Sequence, residues 1–327
     1  MLVQRHASVV DAKLAELAGR QGEVFSYQDA LSCGYTISQV RREVRARRWR
    51  RLCRGQYTAA VIDESSAPWE QGRQLHRLRM IAASRAFHGH VVLSHQSAVV
   101  THGLPTWGLD LGSVHVTRRD CASGRVVDDV VQHRAQLPAG SIWLEEGLEV
   151  VAPARAIVEI ACTAGFEPAL AIADEALRTG LVTRRTLCSE VCDAEHWPRS
   201  PAAKQVLDFC DARAGSVGES RLRVLMDRQG LPAPVLQAPM SQGGEPFAFV
   251  DFYFPEPYNT VVEFDGMQKY GGNTSEIVIR EKWREDAIRE LGNQFVRVVW
   301  ADLAQPAKTA ARIRRAFAFA DAARQAS

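Results

Sequence analysis

Three acids on otherwise apolar strands are the residues of this chain best suited to chemistry: Asp251, Glu263 and Asp265 in AFVDFYFPEPYNTVVEFDG. In FAFVDFYF, alternation puts Phe247, Phe249, Asp251 and Tyr253 on one face of a strand. In TVVEFDG it does the same for Val261, Glu263 and Asp265. The intervening PEPYN is a turn centred on Pro257, and positions 251 and 263 lie equally far from that centre. A hairpin folded there sets Asp251 opposite Glu263, with side chains roughly 5 Å apart. Two carboxylates that close repel unless one is protonated or a cation sits between them. The trio therefore predicts a divalent-metal site. For any one acid the plainer reading, a strand ending at a solvated sheet edge, is preferred; three in one register favour a site.

The elements that must position these acids belong to a chain of 327 residues, long enough for two or three domains with their own cores. Hydrophobic content of 46% and charged content of 24% are ordinary for a globular protein. There is no apolar run of roughly 18 residues, and MLVQRHASVVDAK lacks the apolar core of a signal peptide. A cytoplasmic protein without a membrane partner is the expectation. Cys33, Cys53, Cys121, Cys162, Cys188, Cys192 and Cys210 are odd in number, scattered and without CxxC, which suits a reducing compartment. Cys188, Cys192 and His196 fall at helical spacing, but three zinc ligands on one helix is an unusual arrangement and is not favoured.

Charge is uneven. Residues 1–60 hold eleven Lys/Arg against five Asp/Glu, and eight of those arginines lie between Arg41 and Arg54. A basic cluster in a chain of net charge +2 points to a polyanion partner. The same region reads as helix, short helix, helix and strand pair. Ser8 is the expected cap of the first helix, Ser26 of the second and Thr36 of the third, TISQVRREVRA. WRRLCRGQYTAA turns at Gly55, as a small β-wing would. This is the arrangement of a winged helix-turn-helix, whose third helix (Arg41, Arg42, Arg45) enters the major groove of double-stranded DNA. Arg48, Arg50, Arg51 and Arg54 then reach phosphates. The alternative is a solvated basic helix in a small protein-binding domain.

YTISQVRREVRARRWRRLCRGQYTA resembles the N-terminal winged helix of AbiEi-type antitoxins of abortive-infection toxin–antitoxin systems. LSHQSAVVTHGLPTWGLDLGSVHVTRR and VAPARAIVEIACTAGFEPALAIADEALRTGLVTRRTL resemble later segments of that group, so the likeness runs over about 8–205. The second segment carries Ala156 and Glu159 where Thr and Asp are usual. The resemblance implies DNA binding, often at the protein's own promoter, with a cognate toxin or self-association as further partnerships. Residues 61–205 read as a middle α/β domain, with strands at Val91–Leu93 and Val114–Thr117 and helices at Ala154–Thr163 and Pro168–Arg178. His95 and His102, seven apart, read as capping or packing groups rather than catalysts. DAEHWPRSPAA marks a boundary near 205.

From 206 to 327 the order is helix, strand, strand, strand, helix, strand. Ser216 caps VGESRLRVLMDRQG, PVLQAPM is the first strand, IVIREKWREDAIRELG the second helix, and QFVRVVWADL a closing buried strand. This αβββαβ order is similar to the restriction-endonuclease-like core of PD-(D/E)xK nucleases. More narrowly, residues 214–303 resemble the very-short-patch-repair-endonuclease-like family. Matching positions are Glu219 in GESRLR, Asp251 in FVDFYF, Glu263 and Asp265 in VVEFDG, and Asp286 and Arg289 in REDAIRELG. The resemblance implies a Mg²⁺ (or Mn²⁺) ion held by Asp251 and Glu263, with support from Glu219 or Asp265. Where the fold usually has Lys two residues after Glu, this chain has Asp265; Lys269 is the first substitute and Lys282 the next. Arg280, Arg284 and Arg289 read as a salt-bridged helix face, Arg284 being the one that could touch phosphate.

The expected protein is thus α/β and multidomain: a winged helix (1–60), an antitoxin-like α/β domain (61–205) and an endonuclease-like domain (206–327). The leading function is a metal-dependent DNA endonuclease in phage defence, a toxin–antitoxin setting or repair. The alternative is a transcriptional regulator whose nuclease fold is only a platform. An RNA nuclease using Tyr253, Tyr258 or Tyr270 for stacking is a third reading.

Overall fold

The computed structural model describes residues 11–119, 124–266 and 274–326. It is a mixed α/β, multidomain protein whose described residues form three sheets and thirteen α-helices. They group into two compact units: residues 1–164 with 189–200, and residues 165–188 with 201–327. No described helix is long and apolar enough to cross a membrane.

The first unit opens with α1 (Ala12–Arg20), β1 (Phe25–Ser26), α2 (Tyr27–Ser32), α3 (Ile37–Arg45), β2 (Arg50–Cys53) and β3 (Gln56–Thr58). Asp11 caps α1 by accepting from the Lys13 amide; Ser8, the expected cap, lies outside the described residues. Ser26 and Thr36 close reciprocal capping boxes with Asp29 and Gln39, satisfying amides that the first turns of α2 and α3 leave free. Leu14, Phe25, Ala30, Val40 and Trp49 form the core beneath them, with the Phe25 and Trp49 rings edge to face at 4.7 Å. The strands pair in the order β1-β3-β2.

After α4 (Pro68–Ala86) come β4 (Val91–Leu93), α5 (His95–Thr101), β5 (Val114–Arg118), β6 (Arg125–Val127), β7 (Val130–Arg134), β8 (Ile142–Glu145), β9 (Leu148–Val151) and α6 (Pro153–Thr163). These strands make a six-stranded sheet ordered β6-β7-β5-β4-β9-β8. Residues 154 and 156–162 of α6 are buried almost throughout and mostly apolar, as suits a helix covered by its own unit on most sides.

The second unit contains α7 (Phe166–Arg178), the first half of α8 (Arg184–Asp193), α9 (Pro201–Phe209), α10 (Val217–Arg228), β10 (Val235–Gln242), β11 (Glu245–Phe254), β12 (Thr260–Asp265), α11 (Thr274–Glu290), β13 (Gln294–Val299), α12 (Trp300–Leu303) and α13 (Pro306–Ala326). Asp174 of α7 ties the helices together. It accepts from Ser220 at 2.7 Å, from Arg223 at 2.8 Å and from the Asp211 amide at 2.8 Å. The sheet is ordered β10-β11-β12-β13; its first three strands are antiparallel and β13 runs parallel to β12. A parallel neighbour requires a crossover, which α11 supplies. Leu222, Leu225, Phe252, Phe254, Val262, Val298 and Phe317 form one core cluster; Val250, Val261 and Ile288 belong to another.

The order α10-β10-β11-β12-α11-β13 follows the reading from sequence, but the last strand is shorter than expected and two helices that the reading did not include, α12 and α13, come after it. The strand expected through Leu303 stops at Val299, and WADL is helical. Nor is it a fully buried strand: β13 is an edge, and Gln294, Phe295, Arg297 and Val299 are only half-buried.

Candidate active site

Four elements bring the acids of the second unit toward one end of its sheet. Glu219, in the first turn of α10, accepts from the Gly215 amide at 2.8 Å and from the Ser216 hydroxyl at 2.9 Å. Its neighbour on β10 is Gln237, whose Nε2 donates to Glu219 at 3.2 Å and to Asp251 at 3.3 Å. Gln237 holds this place with a φ of +47°, a left-handed conformation that a non-glycine residue adopts at a cost. The second Asp251 oxygen accepts the Phe264 amide at 2.8 Å. On β11 and β12, Phe252 pairs with Val262, and one further step of that register brings Asp251 across from Glu263.

Two arginines complete the arrangement. Arg284 of α11 donates to Glu263 at 2.8 Å. Arg297 of β13 stands next to Glu263 in the parallel register and reaches Asp265 at 3.8 Å and Glu285 at 3.2 Å. Phe249, Asp251, Glu263, Asp265, Arg284 and Arg297 are among the residues lining a cleft of 210 Å³.

The electrostatics are those of acids held together against repulsion. Glu263 is only 8% exposed, and burial pushes its carboxyl up to about 7 despite the opposing pull of Arg284; the Asp251 charge adds to the rise. Burial also raises Glu219, and again Asp251 contributes. Such a pair is relieved by a proton or by a cation in the cleft. Glu219 is spent on its cap and on Gln237, and Asp265 faces Arg297. Asp251 and Glu263 are the carboxylates that would hold a divalent ion, and their all-oxygen chemistry suits a hard cation.

Several expected residues fall elsewhere. Lys269 and Tyr270 lie outside the described residues. Lys282 and Arg280 are exposed on α11, as is Asp286, while Arg289 pairs with Glu285. Arg284, read mainly as part of a salt-bridged face, instead belongs to the cleft. Tyr258 is packed on Phe317 at 4.4 Å, which removes it from the set of exposed stacking residues. Sequence reasoning missed Gln237 and Arg297, which become relevant only through strand pairing.

In the first unit, Arg41, Arg42 and Arg45 line one shallow surface of α3 with Ser38 and Ala46. Arg50 is exposed on β2 and Arg54 sits exposed in the β2–β3 turn. Arg48 is held by Glu43, and Arg51 reaches Asp128 at 3.4 Å. His102 bonds the Val151 carbonyl at 2.8 Å, a packing role as expected, whereas His95 joins two histidines that the sequence reading did not connect to it. Cys188, Cys192 and His196 form no compact ligand group; among the described residues that property belongs to His95, His115 and His133.

No family model matches the chain. Two proteins of Mycobacterium tuberculosis are each 30% identical to it over 242 residues, covering 72% of this chain and 85% of the relative. They are the uncharacterized protein MT2308 (strain CDC 1551 / Oshkosh) and the uncharacterized protein Rv2248 (strain ATCC 25618 / H37Rv). The crystal structure of the RV2827C protein from the same species aligns with 60% of this chain and 74% of its own, at 15% identity and a TM-score of 0.39. A score that low does not bear on fold or function.

Proposed function

This chain belongs to the family of the Mycobacterium tuberculosis proteins MT2308 and Rv2248, and we propose that it is a divalent-metal-dependent DNA endonuclease. The observation that carries the reading is the placement of half-buried Asp251 beside buried Glu263 in a cleft with two arginines, the Glu263 carboxyl being raised chiefly by burial with the Asp251 charge adding to it. The order α10-β10-β11-β12-α11-β13, with a parallel final strand, supports a restriction-endonuclease-like core around that pair. Helices α1–α3 followed by the β2–β3 hairpin support a winged helix, and Arg41, Arg42, Arg45, Arg50 and Arg54 supply its phosphate contacts.

Asp251 and Glu263 would hold Mg²⁺ or Mn²⁺, which neutralises charge on the phosphodiester and lowers the pKa of water. The remaining work falls to this chain's own groups. Gln237 and the Phe264 amide fix the Asp251 carboxylate, so that it enters the reaction already oriented. Glu219 restrains Gln237 from the far side. Arg284 and Arg297 bring positive charge to the cleft, where the phosphate gains negative charge during attack. They take the place of the lysine that this fold usually carries two residues after Glu263.

Two observations favour a second reading, a DNA-binding regulator of the antitoxin type with an inactive nuclease fold. Asp265 stands where lysine is usual, and Arg284 already satisfies Glu263 at 2.8 Å. Incubation of supercoiled plasmid with Mg²⁺ or Mn²⁺ separates the two. The endonuclease nicks it, and EDTA or Asp251→Asn abolishes nicking; the regulator binds the plasmid and leaves it intact.

A further inference from the structure

The first unit holds a second constellation that the nuclease reading does not use. His95 begins α5, His115 lies on β5 and His133 on β7. Parallel pairing sets His115 beside Val131 and Thr117 beside His133, so the two histidines share a sheet face two residues apart. His95 lies over them, its ring 3.7 Å from that of His133 and nearly parallel to it. One nitrogen from each of the three lies within 4.8 Å of the others.

We propose that His95, His115 and His133 form a binding site for a late first-row transition-metal ion of the Zn²⁺ class. Imidazole nitrogen is the ligand such ions prefer, and three imidazoles with an open fourth position is a known zinc arrangement. Three nitrogens about 2.0–2.1 Å from one ion lie roughly 3.3 Å apart, so small ring rotations close the set. His115 Nδ1 and His133 Nε2 are already 2.9 Å apart. As neutral rings they share one N–H there. Moving that proton to the outer nitrogen of its own ring frees both inner nitrogens without net proton release.

Outer partners orient these rings, as metal-binding histidines require. His95 Nδ1 faces the Ser94 hydroxyl at 3.1 Å and the Glu159 carboxylate at 3.4 Å, leaving Nε2 for the ion. His115 Nε2 lies 2.6 Å from the Gln96 side-chain amide, and turning that amide over presents its oxygen as the acceptor for the His115 Nε2–H that goes with Nδ1 ligation. Glu159 also accepts the His95 backbone N–H at 2.8 Å and pairs with Arg155 at 3.1 Å. His95 is held at a φ of +51°, a strained conformation for a non-glycine residue that the Glu159 contact helps to maintain. Burial keeps all three rings neutral, and therefore able to bind, well below neutral pH. His95 and His133 line a cavity of 780 Å³, through which an ion and a fourth ligand can enter.

The test uses the full chain, stripped of metal and titrated with Co²⁺ as a spectroscopic stand-in and then with Zn²⁺. The expected result is one tightly bound Co²⁺ per chain with intense visible d–d bands, displaced by one equivalent of Zn²⁺, and X-ray absorption of that one-equivalent Zn²⁺ form counting three imidazole ligands. His115→Ala and His133→Gln each weaken binding at least tenfold, while the double variant Asp251→Asn, Glu263→Gln keeps the full spectrum. No uptake by the wild-type chain, fewer than three imidazoles around zinc, or equal uptake by folded His133→Gln overturns the proposal. The absorption experiment needs no variant, so a misfolded substitution leaves it decisive.

Discussion

The backbone N–H of Phe264 donates to Asp251 at 2.8 Å, while the Phe264 ring fills the space where any side chain on Gly218 would stand. One residue thus couples the position of the candidate metal ligand to the packing of α10 on β12. A Cβ at Gly218 would lie 1.9 Å from the ring's Cε1, and the ring is itself edge-on to Trp300 at 5.3 Å. Gly218→Ala is expected to destabilise the chain by about 1–3 kcal/mol, the usual cost of overpacking. Because the displaced ring moves the Phe264 amide that fixes Asp251, cleavage should fall by more than the stability loss explains. Urea denaturation and plasmid nicking, run on the same preparation, check both.

Glu263 should trade stability for function. An acid raised from 4.5 to about 7 on folding stays protonated in the folded chain between those values while the unfolded chain ionises. The folded state then binds more protons, so this group's contribution to stability declines as pH rises from about 4.5 to 7. The shift corresponds to a loss on the order of 3 kcal/mol above pH 7. Glu263→Gln removes that loss, and its Tm at pH 8 should exceed that of the wild type, while at pH 4 the two should be similar. A wild-type chain that is more stable than Glu263→Gln at pH 8 without divalent ions would refute this.

Four histidines, two buried and two half-buried, act in the opposite pH range. His76, His95, His115 and His133 are lowered by burial, to about 4, 3, 3 and 4 respectively. Folded, they resist protonation; unfolded, they take up protons near pH 6.5. The stability these histidines contribute is therefore fully present above pH 6.5 and is lost as pH drops toward the folded values. Denaturation midpoints should decline steeply between pH 6 and about 4.5, and more gently in His76→Asn, if that variant folds.

Asp174 is 1% exposed and answers three donors, one of them the buried guanidinium of Arg223. Removing it leaves that guanidinium uncompensated. Asp174→Ala is expected to cost about 3–5 kcal/mol, measurable by denaturation and far larger than the loss from cutting an exposed pair such as Lys204–Asp208.

How much of this was legible in the sequence depended on distance along the chain. The caps at Ser26, Thr36 and Ser216 are local, and each side chain bonds an amide three residues on, so residue type and spacing were enough. The Asp251–Glu263 juxtaposition was legible too, because a single turn sets its register. Arg297 was not: it comes beside Glu263 only after α11 crosses over to lay β13 parallel to β12. The histidine cluster failed for the same reason. Its members are separated by 20 and 18 residues and meet only through the parallel β5–β7 pairing. Glu159, noted as a departure from the antitoxin pattern, gained a role only once it was seen bonding His95.

If the arginines of α3 and the hairpin contact phosphate, each removal should act uniformly across DNA sequences. Arg41→Ala, Arg45→Ala and Arg54→Ala should each weaken binding and reduce the slope of log affinity against log salt by about 1. Fluorescence anisotropy over a salt series checks this, and an unchanged slope in all three would place the DNA surface elsewhere.

The most direct test of the central claim is single-turnover cleavage of a labelled duplex by the wild type and Glu263→Gln, with Mg²⁺ or Mn²⁺, from pH 5 to 9. The account predicts wild-type cleavage that vanishes in EDTA and that needs more divalent ion as pH falls below about 7, where a proton competes with the ion for Glu263. Glu263→Gln should fall at least 100-fold while binding DNA as tightly. Cleavage that is indifferent to Glu263 or to divalent ions, or a wild-type chain that binds duplex DNA and never cuts it, would contradict the account.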